Sequence, residues 1–171
     1  MKAIFFDRDG TLIKNKHYLK NPEQVELIDQ FVPEVLQELL NRDYLIFLHT
    51  NQSGIERGMF NLEIVHQCND RMFSLIGFNP FEEICIAPNI HYQQSNYRKP
   101  STKFIEEMHG KYNFTKANTF YVGDSKCDLE TAYNYNIGAI GLNIETNKLN
   151  LENSFGYPIV ETFKEILHYA K

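Results

Sequence analysis

Five short, unbroken apolar runs are the feature that most restricts how this chain can fold. They read AIFF (Ala3 to Phe6), YLIFL (Tyr44 to Leu48), EICIA (Glu83 to Ala87), TFYV (Thr119 to Val122) and AIGL (Ala139 to Leu142). A strand with one wet face alternates apolar and polar residues, whereas a run without alternation suits a strand covered on both faces. The intervals carry the covering. Val32, Val35, Leu36, Leu39 and Leu40 repeat at three and four residues, as do Leu62, Val65, Met72, Phe73 and Ile76, with a polar gap at Asn69. Ser101 is placed to cap a third helix bearing Phe104, Ile105 and Met108; Leu129, Ala132 and Tyr133 mark a fourth, and the tail ETFKEILHYAK a fifth. Strands alternating with helices imply right-handed crossovers, hence an α/β fold with a doubly wound, mostly parallel sheet and helices on both faces. Lys14 to Gln30 and Pro88 to Pro100 lack either period and are expected as loops. Neither the interval Gly10 to Tyr44 nor Ser53 to Glu83 leaves room for a cap domain.

With 171 residues and 43% apolar content the chain can bury one sizeable core, so residues 1–171 are expected to form a single domain. Seventeen basic residues against twenty-two acidic give a net charge of −5, which argues against general affinity for nucleic acid or an anionic membrane. No apolar run reaches the roughly eighteen residues of a spanning helix, and the chain enters a strand pattern at once without a leader layout. A cytoplasmic monomer is the expectation. Cys68, Cys85 and Cys127 are widely spaced and suggest buried thiols rather than a disulfide framework or a zinc pair.

In open parallel sheets, ligands bind beyond the carboxyl ends of the strands. The residues that follow the runs, or precede the third helix, are Asp7 and Asp9; His49, Thr50, Asn51, Gln52 and Ser53; Arg98 and Lys99; and Gly123, Asp124 and Asp128. A turn or helix cap would account for any one aspartate, but not for carboxylates, a hydroxyl and cations recurring at four strand ends. The set suits phosphoryl transfer. Asp7 and Asp124 in one crevice would repel each other unless a cation intervened, and oxygen donors shared with a phosphate favour magnesium. Asp7 is the candidate nucleophile. Asp9, two residues on across the bend that Gly10 permits, is the candidate acid and base. Thr50 and Lys99 would neutralise the equatorial phosphate oxygens. Asp128 would steady the metal shell or pair with Lys99, an ordinary first-turn carboxylate facing the helix dipole being the equal alternative. Arg8 reads as a structural ion pair and His49 as a packed histidine.

In order and spacing, DRDGT, HTNQSG, RKP and YVGDSKCD resemble the four motifs of the haloacid dehalogenase-like (HAD) phosphatases, over Met1 to about Leu142. TNQSGIERGMF and RKP further resemble the subgroup of D,D-heptose 1,7-bisphosphate and histidinol-phosphate phosphatases. The resemblance implies a Rossmann-like core, an aspartyl-phosphate intermediate on Asp7, and magnesium held by Asp7, the Asp9 carbonyl and Asp124. It implies substrate contacts at Asn15, Tyr18, Asn51, Gln52, Ser53 and Arg98. Two departures stand out. The subgroup carries a cysteine-rich zinc loop before RKP, but here the interval is APNIHYQQSNYRKP, so no zinc is expected. Ser125 stands where the heptose enzymes tend to have lysine. The reading favoured is a magnesium-dependent phosphatase of a small phosphorylated sugar, D-glycero-D-manno-heptose 1,7-bisphosphate. The alternatives are histidinol phosphate, a nucleic-acid 3′-phosphate, or a non-catalytic HAD-fold binding domain. Few cations beyond Lys14, Lys16 and Lys20 lie in the loop segments to hold a nucleic-acid strand, and intact Asp7, Asp9, Thr50, Lys99 and Asp124 oppose loss of turnover.

Overall fold

Every paired strand in the sheet is parallel, and the strand order β3-β2-β1-β4-β5-β6 reverses direction between β1 and β4. The strands are β1 (Lys2–Phe6), β2 (Tyr44–Asn51), β3 (Glu83–Ala87), β4 (Thr119–Gly123), β5 (Gly138–Leu142) and β6 (Ile159–Val160). The helices are α1 (Val32–Asn41), α2 (Leu62–Ile76), α3 (Lys103–Tyr112), α4 (Lys126–Tyr135) and α5 (Ile166–Tyr169). This computed structural model describes residues 1–145, 148–150 and 152–171.

Alternate residues of β1 feed two separate cores. Ile4 and Phe6 face the side closed by α1, α2 and α5 through Val32, Leu36, Cys68, Met72 and Ile166. Ala3 and Phe5 face the side closed by α3 and α4 through Phe104, Ile105 and Leu129. The sheet is therefore doubly wound, as the unbroken apolar runs require. Phe5 stacks on Phe47 at 4.7 Å between ring centroids and meets Phe104 and Phe114 edge-on, each at 5.8 Å. Truncating such a buried ring costs about 3–5 kcal/mol, so the middle of the sheet is a stiff platform. Its reversal of direction opens a crevice at the carboxyl ends of β1 and β4, where the sheet carries Asp7 and Asp124.

Several boundaries differ from the sequence reading. β2 runs on through His49, Thr50 and Asn51, because these polar residues pair with Cys85, Ile86 and Ala87 of β3. Thr50 and Asn51 are thus strand residues. α3 begins at Lys103, with Thr102 rather than Ser101 at the cap position; the Ser101 hydroxyl still accepts from the Lys103 amide at 3.3 Å. β6 is too short to leave an apolar signature. The tail opens with a 3-10 turn, Phe163–Glu165, before α5, since Glu165 folds back to accept from the Thr162 amide at 2.8 Å. Lys14 to Gln30 joins the core. Leu27 bridges Ile13, and Leu19, Val25 and Ile28 are buried. Among the described residues nothing forms a cap over the strand ends, and no helix is long and apolar enough to cross a membrane.

Candidate active site

Asp7 extends β1 by one residue, its amide donating to the Val122 carbonyl of β4 at 3.0 Å, so its side chain enters the crevice beside the end of β4. The chain then turns sharply. Gly10 has φ +88, and a Cβ there would collide with the Asp124 carboxylate; glycine is needed both for the bend and for the approach. Gly123 serves the next carboxylate likewise, because a Cβ at that position would occupy the space of Asp128. As a result one oxygen from each of Asp7, Asp124 and Asp128 lies within 4.8 Å of the others, all three residues being buried.

Two ammonium groups answer this charge. Lys99 Nζ, 2% exposed, lies 2.6 Å from Asp7 Oδ1 and 2.6 Å from Asp128 Oδ1, with the Tyr121 ring beneath at 5.8 Å. Lys148 Nζ lies 2.8 Å from Asp124 Oδ2. They do not suffice. Burial, opposed by Lys99 and reinforced by Asp128, Asp124 and Asp9, pushes the Asp7 carboxyl up to about 8. Burial and then Asp128 also raise Asp124, against the pull of Lys148. Lys99 itself is driven well above its ordinary range: burial alone would lower it, but Asp128 and Asp7 prevail. Three converging hard-oxygen donors, with the acidity of Asp7 and Asp124 suppressed, are the electrostatic mark of a cation site, and the donor set fits a magnesium-sized ion.

Asp9 stands apart from that cluster. Its carboxylate accepts from Arg8 Nε at 3.1 Å and from Gln52 Nε2 at 2.7 Å, with Thr50 Oγ1 at 3.4 Å. Arg8, 1% exposed, is in turn fixed by Asn69 of α2, whose Oδ1 accepts from Nη1 at 2.9 Å. Asp9 is thereby aimed into a cleft of about 280 Å³. That cleft is walled by Asn15, Tyr18, Asn51, Gln52 and Ser53, every one singled out from the sequence as a substrate contact, together with Asp9, Lys16, His17, Leu19 and Gly54. Arg98 is not part of the wall; its guanidinium donates to the Asn89 carbonyl at 2.9 Å within its own loop. Asn51 also turns back, accepting from the Lys99 amide at 3.0 Å. Asp128 takes both of the places considered for it. Its Oδ2 caps α4 by accepting from the Ser125 amide at 3.1 Å, while Oδ1 holds Lys99.

Three contributors escaped sequence reasoning: Asn69, Lys148 and the grip of Asn51 on Lys99. The polar gap in the apolar face of α2 was a signal for Asn69, though not for its partner. His49 is fully buried and packed, as expected, against Phe104 and Tyr121, with Nε2 donating to the Tyr97 carbonyl at 2.7 Å. It thus ties the Pro88 to Pro100 loop to β2.

Known proteins resemble this chain in sequence and in fold. The family model described as polynucleotide kinase 3 phosphatase matches residues 2–138. The D-glycero-alpha-D-manno-heptose-1,7-bisphosphate 7-phosphatase of Campylobacter jejuni is 29% identical over 170 residues, covering 99% of this chain and 96% of that protein. The histidine biosynthesis bifunctional protein HisB of Buchnera aphidicola is 32% identical over 147 residues, covering 81% of this chain but 40% of that protein. In fold, the chain is similar to a D,D-heptose 1,7-bisphosphate phosphatase from B. bronchiseptica solved with magnesium and phosphate. The TM-score is 0.81 at 23% identity, over 99% of this chain and 100% of that one.

Proposed function

This chain belongs to the polynucleotide kinase 3 phosphatase family, among the HAD phosphatases, and from that premise we propose that it hydrolyses the 7-phosphate of D-glycero-D-manno-heptose 1,7-bisphosphate with magnesium. The observation that carries the reading is the convergence of Asp7, Asp124, Asp128 and Lys99 beside a cleft of sugar size. A relative of nearly the same length named for that substrate supports the choice of sugar. Asp7, Asp124 and the Asp9 carbonyl would hold the ion, with Asp128 against them. Bound there, it supplies positive charge that lets Asp7 ionise at neutral pH and offsets the charge of the phosphoryl oxygens.

The chain's own groups do the rest. An Asp7 carboxylate oxygen attacks phosphorus, forming a new P–O bond as the bond to the sugar oxygen breaks. Asp9, held at the cleft wall by Arg8 and Gln52, gives its proton to the departing sugar oxygen. Lys99 and Thr50 offset the charge on the equatorial oxygens, and Asn51 keeps Lys99 in place through its backbone. In the second half Asp9 takes a proton from water, which attacks the aspartyl phosphate, frees inorganic phosphate and restores Asp7. Asn15, Tyr18 and Ser53 of the cleft wall are assigned to the sugar and its second phosphate. The chain works as one domain and as a monomer of the cytoplasm, and it needs no zinc, since its Pro88 to Pro100 loop offers no cysteine.

A nucleic-acid substrate fits less well. Lys16, in the cleft wall, and Lys14 are both committed to Glu26, at 2.6 and 2.9 Å. The test is a panel comprising both heptose bisphosphate anomers, histidinol phosphate and a 3′-phosphorylated oligonucleotide, with magnesium and with Asp7→Asn as control. A heptose bisphosphate should give the highest kcat/KM, and the control should not turn over. A preference for histidinol phosphate or the oligonucleotide would overturn the substrate assignment.

A further inference from the structure

The two ammonium groups at the carboxylate cluster differ in kind. Lys99 is locked, its Nζ lying between two carboxylates with 2% of the side chain exposed. Lys148 is 43% exposed and reaches a 5% exposed Asp124 from the outer side of the crevice. Its backbone is nevertheless firmly tied. The Asn143 side chain donates to the Leu149 carbonyl at 2.9 Å and accepts from the Leu149 amide at 3.3 Å. Asn153 Nδ2 donates to the Lys148 carbonyl at 2.9 Å, and the Leu149 side chain is buried in the core on the α3 and α4 side. The same connection borders the cleft, since Glu145 accepts from the Asn15 amide at 2.7 Å. A long, flexible side chain on an anchored base thus reaches the carboxylate cluster, three residues beyond the Glu145 that holds Asn15 of the cleft wall.

We propose that Lys148 is an exchangeable counter-ion: it neutralises Asp124 in the cation-free protein, yields that carboxylate to a divalent ion, and then presents its ammonium to the phosphate of the bound substrate. The inference rests on the cation reading of Asp7 and Asp124 given above. An ammonium and a divalent ion cannot both sit on Asp124 Oδ2 without like-charge repulsion, and Lys148 is free to leave because its tip is partly solvated. Lys99 has no such freedom. Once displaced, Lys148 gains a new partner when a phosphate dianion arrives, so the same side chain opposes the ion alone and favours the ion together with phosphate.

The opposed signs make the test. Manganese(II), as a magnesium substitute, is titrated into metal-free wild-type, Lys148→Met and Lys148→Arg proteins, with the free ion followed by electron paramagnetic resonance. Inorganic phosphate is then titrated into each manganese-loaded protein. Lys148→Met should bind the ion about two- to fivefold more tightly than wild type, the range a partly exposed ion pair supplies, with the gap narrowing as salt is raised. It should bind phosphate several-fold more weakly, and Lys148→Arg should behave as wild type in both titrations. Unchanged or weaker ion binding by Lys148→Met, or undiminished phosphate binding, would overturn the counter-ion role and leave the cation site standing. Failure of the wild-type protein to bind the ion at all would overturn both.

Discussion

Replacing Lys99 with Met tests the electrostatics of the site most sharply, because it removes positive charge from two buried carboxylates while keeping side-chain volume. Asp7 and Asp128 are 10% and 1% exposed and each lies 2.6 Å from the ammonium. Breaking a buried pair by deleting one partner costs about 3–5 kcal/mol, since the remaining charge is left uncompensated. The lower end applies at neutral pH. Asp7 already titrates at about 8, and without Lys99 it would simply keep its proton, leaving Asp128 as the main loser. A loss near 3 kcal/mol lowers the melting temperature of a protein this size by about 6–12 °C. The assay is urea and thermal unfolding in chelator, repeated with magnesium. Magnesium should restore more stability to Lys99→Met than it adds to wild type, because the ion replaces the missing charge. Turnover should stay about 10²- to 10³-fold down even with magnesium, since no group then meets the phosphoryl oxygens from that side. A variant as stable as wild type in chelator would show that the cluster does not need the ammonium, and the charge argument would fail.

Burial, helped by Lys99, holds the His49 imidazole down at about 3 against an ordinary value of 6.5. A group whose folded value is depressed in this way costs stability as pH falls, so the metal-free protein should weaken from about pH 6.5 downward by up to about 4 kcal/mol near pH 3. His49→Phe should flatten that part of the stability curve, and parallel curves for the two proteins would refute the assignment. Gly10→Ala should keep the circular dichroism of the fold but lose divalent-ion affinity at least tenfold, because the added Cβ displaces Asp124. Ion titration showing undiminished affinity would mean that the Gly10 bend does not set the carboxylate spacing.

The five long strands were legible because burial on both faces leaves unbroken apolar runs, and the crevice residues were legible because parallel topology brings strand ends together. What escaped the sequence did so for physical reasons. The polar end of β2 carries no apolar signal, yet it is ordered by pairing with β3 and by the hold of His49 on Tyr97. β6 has two residues and leaves no periodic trace. Arg8 could be read as an ion pair from its position between two aspartates, but its anchor Asn69 lies 61 residues away on α2. Lys148 sits in a connection without periodicity, 24 residues beyond the carboxylate it meets. Local pattern reveals which residues end a strand; partners contributed by distant segments emerge when the chain closes on itself.

In the proposed mechanism Asp7 is the group phosphorylated while sharing a divalent ion with Asp124. A crystal structure grown with magnesium and beryllium fluoride tests it most directly, the fluoride standing in for the phosphoryl group on an aspartate. Beryllium should be bonded to an Asp7 carboxylate oxygen, with magnesium touching both Asp7 and Asp124 and Lys99 Nζ against a fluorine. An adduct on Asp9 or elsewhere, or an ion that does not touch Asp124, would contradict it.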